Sequence, residues 1–186
     1  MEYAAKFLQG LKYSDFLTTH GTAEQRQRWE NFHRTLKLND SQRQLLAGFA
    51  RDMKVMVLAG AWCGDCVNQC PIFDHFAAET SRLDVRYFDR DAHPDFAAGL
   101  SVCGGARVPV VLFLSEDFQQ VGWYGDRTLS KYRNMAATLD GAACPTGIVP
   151  DQASLVAAVV QEWLNEFERC QWILRTSARL RKIHGD

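Results

Sequence analysis

A pair of cysteines set between a buried strand and a helix constrains this chain more than any other feature. Val55-Met56-Val57-Leu58-Ala59 is a short apolar run with the length of a buried strand, and residues 64–80 read as a helix. Between them stands Ala61-Trp62-Cys63-Gly64-Asp65-Cys66. The first cysteine is therefore expected at a helix start. Unpaired backbone N–H groups and the positive dipole end there favour an anion such as a thiolate. The pKa of a cysteine so placed can fall from about 8.5 to between about 3.5 and 7.5. Cys66 lies about one turn later, within reach of Cys63, so the pair can cycle between dithiol and disulfide.

The rest of the pattern is α/β. Residues 3–51 read as helices, with Trp29, Phe32 and Leu36, then Leu45, Leu46 and Phe49, at helical spacing. Asp40 or Ser41 is the expected cap of the second of these helices. After the cysteines, Leu83 to Phe88 alternates like a strand, and His93 to Leu100 forms a short helix. Pro109 to Leu114 is a buried strand, paired through Ser115-Glu116-Asp117 with Gln119 to Tyr124. Leu129, Tyr132, Met135 and Leu139 mark a helix that Gly141 is placed to end. Asp151 caps a long helix bearing Leu155, Val159, Val160, Trp163, Phe167 and Leu174. Strand, helix, strand, helix, strand, strand, helix is an α/β order with a βαβ start.

At Trp62-Cys63-Gly64-Asp65-Cys66, with Pro71 beyond it and Val108-Pro109 opening a strand, the chain resembles the thioredoxin superfamily. Gly125, 16 residues after Pro109, fits the same pattern. The resemblance covers roughly residues 53–140. It implies a thioredoxin-like fold with a mixed sheet of about four strands flanked by helices. One domain, 1–186, is expected, with a helical N-terminal extension over 1–52, a core over 53–140, and a C-terminal loop and long helix over 141–186. The resemblance also implies catalysis by Cys63 and Cys66, modulation by Gly64 and Asp65, and a docking groove shaped by Trp62, Val108, Pro109 and Gly125. It implies a cis Val108-Pro109 bond; an ordinary trans proline at a strand start is the alternative. Pro71 is expected to kink its helix, or else to mark a helix boundary.

Two departures stand out. Val57 occupies the strand position where thioredoxins proper carry a buried carboxylate, so the usual proton acceptor for the resolving thiol is missing. Asp65 replaces the usual proline, and its charge should oppose thiolate formation nearby, although it suits a first helical turn. Cys63 is thus expected to be less acidic than in strong oxidants, which favours reduction or isomerisation over oxidation.

Cys70 follows at helical spacing and is either a small core residue or a third redox thiol. Cys103 is a loop filler or a trap for an intermediate, Cys144 lies in a Pro/Gly loop, and Cys170 continues an apolar stripe. A metal site on Cys63, Cys66 and Cys70 needs a fourth ligand, for which Cys103, Cys144, His75 or His93 would have to fold in. No cofactor is expected.

With 21 basic and 22 acidic residues the net charge is −1, and attraction to nucleic acid or anionic membrane is not expected. The basic end at Arg175, Arg179, Arg181 and Lys182 reads as a solvated helix terminus. Six cysteines without an export signal suggest a cytoplasmic, reducing setting. The expected activity is thiol–disulfide exchange on protein or small-molecule disulfides, with an unidentified reductant. The alternative is a non-catalytic adaptor.

Overall fold

The structure is a computed structural model and describes residues 2–137 and 152–186. Four helices come first: α1 (Tyr3–Phe7), α2 (Tyr13–His20), α3 (Ala23–Thr35) and α4 (Asp40–Ala47). Then follow β1 (Met53–Ala59), α5 (Gly64–Val67), α6 (Cys70–Glu79), β2 (Leu83–Asp89) and α7 (Pro94–Ala98). The hairpin β3 (Val110–Ser115) and β4 (Gln120–Gly125) leads to α8 (Leu129–Ala136), α9 (Gln152–Thr176) and α10 (Ala178–His184). Gly141, Cys144 and Asp151 lie outside the described residues.

The strands form one mixed sheet in the order β2-β1-β3-β4, with β1 parallel to β2 and the other pairs antiparallel. β1 and β3 sit in the middle, which is why their sequences are apolar on both faces. β2 alternates between buried and half-buried over residues 83–86 and is buried from 87 to 89, and β4 is a partly exposed edge. The outer edge of β2 is partly covered: Leu11 exchanges backbone hydrogen bonds with Tyr87 at 2.9 and 2.7 Å. That bridge is the one strand-like contact in a stretch expected to be helical. α9 lays Trp163 and Phe167 against Phe73, Phe76 and Phe113, closing an aromatic layer over one face. Leu155, Val159, Val160 and Leu174 are buried beside them, as the apolar stripe predicts.

Three local expectations are corrected. The cap of α4 is Asn39, which accepts from the Gln42 N–H while the Gln42 side chain accepts from the Asn39 N–H, a reciprocal box that neither Asp40 nor Ser41 makes. Leu129 is exposed rather than part of a packed stripe. The helix expected over 64–80 is two helices, broken where Gln69 leaves helical geometry (φ −130°, ψ −46°). Pro71 falls in the first turn of α6, where its missing N–H has no helical partner to lose, so it marks a boundary and not a kink.

Candidate redox site

The turn between β1 and α5 presents the two cysteines. Its backbone is pinned from below by Trp29 of α3, whose indole N–H donates to the Ala61 carbonyl at 2.9 Å. Trp29 is fully buried among Tyr13 and Phe16, so the N-terminal helices anchor the loop that carries the motif. Cys63 is the N-cap of α5 and half-buried, and its Sγ lies 3.5 Å from the Val108 carbonyl oxygen. Cys66 is fully buried one turn on. All five described cysteines, Cys63, Cys66, Cys70, Cys103 and Cys170, are free thiols.

The hydrogen bond shared with Cys66, then burial, pushes the Cys63 thiol up, while the backbone N–H groups of Cys66 and Asp65 pull it down. Burial pushes Cys66 well up. Such a pair shares a proton: once one sulfur ionises, the other S–H donates to it, and a second ionisation meets the first charge. The expected contribution of the helix start is present through those N–H groups. With four residues, α5 carries little macrodipole, so ionisation is not eased as a long helix would ease it. The direction agrees with a cysteine less acidic than that of a strong oxidant.

Trp62 is 43% exposed and folds back over Gly60, where a Cβ would come within 2.6 Å of the indole. The Arg90 guanidinium stacks on its ring at 4.5 Å. The Val108-Pro109 bond is cis. Both residues are buried. Gly125 has φ +148°, and a Cβ there would stand 2.5 Å from the Pro109 carbonyl oxygen. Its role is close approach to the proline segment in a conformation that favours glycine. Beside Gly64 the surface opens into a depression of about 450 Å3 lined by Arg28, Asn31, Phe32, Thr35, Val67 and Asn68.

Asp65 does not act as a bare charge. Its carboxylate is held by Arg127 at 2.6 Å and Lys131 at 3.0 Å, which offsets the repulsion expected of it. Next to this pair lies Asp126, buried, accepting from Arg107 at 3.3 Å, Arg127 at 3.0 Å and the Tyr132 hydroxyl. Burial alone would raise the Asp126 carboxyl; the bonds from Tyr132, the backbone and Arg107 outweigh it and hold the carboxyl below the usual range. Gln69, at the break between α5 and α6, donates to the Asp126 carbonyl at 3.1 Å and accepts from the Trp163 indole at 2.9 Å. Sequence reasoning missed Gln69, Asp126, Arg127 and Lys131. Only the proline two residues past Gln69 hinted at a break there; the ion pairs span some sixty residues of chain and leave no local signal.

The remaining candidates separate clearly. Cys70 is fully buried, while Cys103 is exposed in a turn at φ +51° and fills no core. Burial pushes Cys170 to about 12. Val57 is buried and brings no acid to the site. Among the described residues, no group of three or more His, Cys, Asp or Glu side chains is arranged to hold a metal ion. No described helix is long and apolar enough to cross a membrane.

A mixed four-stranded sheet, with a CxxC at the head of a helix and a cis proline against it, defines a thioredoxin-like protein. The sequence matches the model of the Thioredoxin_9 family, described as thioredoxin, over residues 10–139, and the chain belongs to that family. No curated protein matches it. Among solved structures, a protein of unknown function from Pseudomonas aeruginosa is similar at a TM-score of 0.69 and 20% identity, over 91% of this chain and 96% of that one. An HIV epitope-scaffold is similar at a TM-score of 0.70 and 19% identity, over 96% of this chain and all of the other. At such identity both speak for the fold alone.

Proposed function

We propose that this chain is a thiol–disulfide oxidoreductase that reduces protein or small-molecule disulfides. The observation that carries the reading is Cys63 at a helix start, partly exposed, with a buried Cys66 three residues on in the same turn. Cys63, as thiolate, attacks a substrate disulfide; one substrate sulfur leaves as a thiol and the other stays bonded to Cys63. Cys66 then attacks Cys63, releases the second substrate thiol and closes the Cys63–Cys66 disulfide. A thiol reductant restores the dithiol. Strong oxidants are those whose reduced thiolate is specially stabilised. The four-residue α5 supplies little of that stabilisation at Cys63, which favours the opposite direction, electron donation to substrates. Trp62 and the backbone at Val108 and Pro109 line the approach, Gly125 keeps it open, and Gly64 and Asp65 modulate the pair.

Insulin disulfide reduction with dithiothreitol as donor tests this. The wild type accelerates it, Cys63→Ser lowers the rate to background, and Cys66→Ser accumulates mixed disulfides on Cys63 that mass spectrometry identifies. Equal rates for wild type and Cys63→Ser would overturn the reading and leave the adaptor alternative, which the missing acid at Val57 favours. A cytoplasmic setting belongs to the same proposal, since a reducing compartment keeps such a pair as a donor.

A further inference from the structure

Three arginines are tied to the three groups that border Cys63: Trp62 before it, Gly64 after it and Val108 across from it. The Arg90 guanidinium lies 4.5 Å from the centre of the Trp62 ring, and its Nη1 donates to the Ala106 carbonyl at 3.3 Å. Arg107 follows Ala106 and precedes Val108, whose carbonyl oxygen is 3.5 Å from the Cys63 Sγ. Its Nη1 donates to the buried Asp126 carboxylate at 3.3 Å, while the arginine side chain stays 44% exposed. Arg28 lines the depression beside Gly64, and among the described residues it makes no ion pair. A guanidinium carries five N–H donors in one plane, so the bonds that hold Arg90 and Arg107 in place leave further donors for a second acceptor. The local acids do not cancel this charge. Asp65, Asp89, Asp91 and Asp126 face five cations, Arg28, Arg90, Arg107, Arg127 and Lys131, and two of the four acids, Asp89 and Asp126, are buried. The mouth of the cysteine pair is therefore positive in a chain whose net charge is −1.

We propose that the disulfides this protein reduces are carried by acidic peptide segments, and that Arg90 and Arg107 bind carboxylates beside the reacting sulfurs. The inference rests on the redox reading of Cys63 and Cys66. A guanidinium already held in place takes a carboxylate through paired N–H···O bonds with little further ordering. Arg90 is held by the Trp62 ring and the Ala106 carbonyl, and Arg107 by Asp126. A carboxylate next to a disulfide repels an attacking thiolate. Pairing that carboxylate with arginine removes the repulsion at the point where Cys63 attacks. An acidic segment gains attraction during its approach as well as at contact, and a basic segment meets like charge. Arg28 takes a further carboxylate where the segment crosses the depression toward α3. The sulfur chemistry is the exchange described above; the arginines bind substrate and carry neither electrons nor protons.

The test uses the full chain, dithiothreitol as donor and cyclic peptides of one length, each closed by a disulfide between terminal cysteines. They differ only in the residues beside those cysteines, which are Glu, Gln or Lys, and the rate in Cys63→Ser is subtracted from each. The expected kcat/KM for the Glu peptide is about tenfold that for the Lys peptide, with the Gln peptide between them. In about 0.5 M NaCl the preference shrinks toward one. In Arg107→Gln, and separately in Arg90→Gln, the Glu-to-Lys ratio falls about threefold. Both rates in a ratio come from one preparation, so a loss of folded protein lowers them alike and leaves the ratio in place. Equal rates for the three peptides, a preference for Lys, or a ratio that both variants leave unchanged overturns the proposal. Insulin is the control: its reduction without reduction of the Glu peptide overturns the proposal alone, and reduction of neither sinks the redox reading itself.

Discussion

The two sides of the cysteine pair are built from different materials. Below lies a floor of buried groups, Trp29, Tyr13, Phe16, Tyr87 and Cys70, with the sulfur of Cys66 among them. Beside it runs a rim of charge: Arg90 on Trp62, then Asp65, Arg107, Asp126, Arg127 and Lys131. The floor is held by dispersion, apolar burial and a few buried hydrogen bonds, each sensitive to shape. Most of the rim is held by ion pairs that water and salt weaken. The floor therefore fixes where the sulfurs stand, and the rim sets the field that an arriving substrate meets. Removing a floor group should unfold the site, and removing a rim group should change its chemistry at little structural cost.

The largest effect is expected at Trp29. Trp29→Ala removes a fully buried indole and the bond to Ala61, and should cost about 3–5 kcal/mol in urea unfolding. A cost under about 1 kcal/mol would show that the floor does not anchor the loop. Gln69→Ala comes next. It strips the acceptor from the buried Trp163 N–H and a donor from the Asp126 carbonyl, for about 1–3 kcal/mol by the same measurement. On the rim, Arg127→Gln with Lys131→Gln removes two half-buried ion pairs to Asp65 and one partner of the buried Asp126, and should cost about 1–2 kcal/mol. The same double variant leaves the Asp65 carboxylate unpaired near the cysteines, so the pH midpoint of Cys63 alkylation by iodoacetamide should move upward. An unchanged midpoint would mean that the rim does not reach the sulfurs.

A smaller effect concerns pH. Burial lowers the pKa of both His75 and His93 below 6.5, against the opposing pull of Asp74 and Glu79 on the first and of Asp95 and Asp89 on the second. As pH falls through 6.5 the unfolded chain takes up these protons first, so stability declines from there down to the lowered folded values. Urea midpoints measured down that range should fall, and the decline should be shallower in His75→Gln. Smallest of all is Tyr13→Phe. Among the described residues the buried Tyr13 hydroxyl has no hydrogen-bond partner, so its removal should leave the urea midpoint unchanged or raise it.

Reading the sequence alone reached the floor's scaffold but not the rim. The apolar runs at Val55–Ala59 and Val110–Leu114 are local signals of central strands, and both strands form. The cis bond at Val108-Pro109 followed from the resemblance rather than from any property of the dipeptide. At the start of α4, Asn39 and Gln42 form a reciprocal cap that outcompetes the single caps at Asp40 and Ser41. The break at Gln69 escaped because the residues around it keep helical periodicity, while the buried partners that hold the Gln69 side chain come from β4's end and α9. The charge of Asp65 reads as repulsive from sequence because its partners Arg127 and Lys131 are near it in space and not along the chain.

The bond from Trp29 to Ala61 has a consequence for the boundaries of the functional unit. A fragment trimmed to begin at the first strand would retain every residue of the motif and lose the hand that steadies it. Minimal versions of this protein should therefore be cut outside α3, and grafting the five-residue motif onto another scaffold should transfer its sulfurs without their geometry.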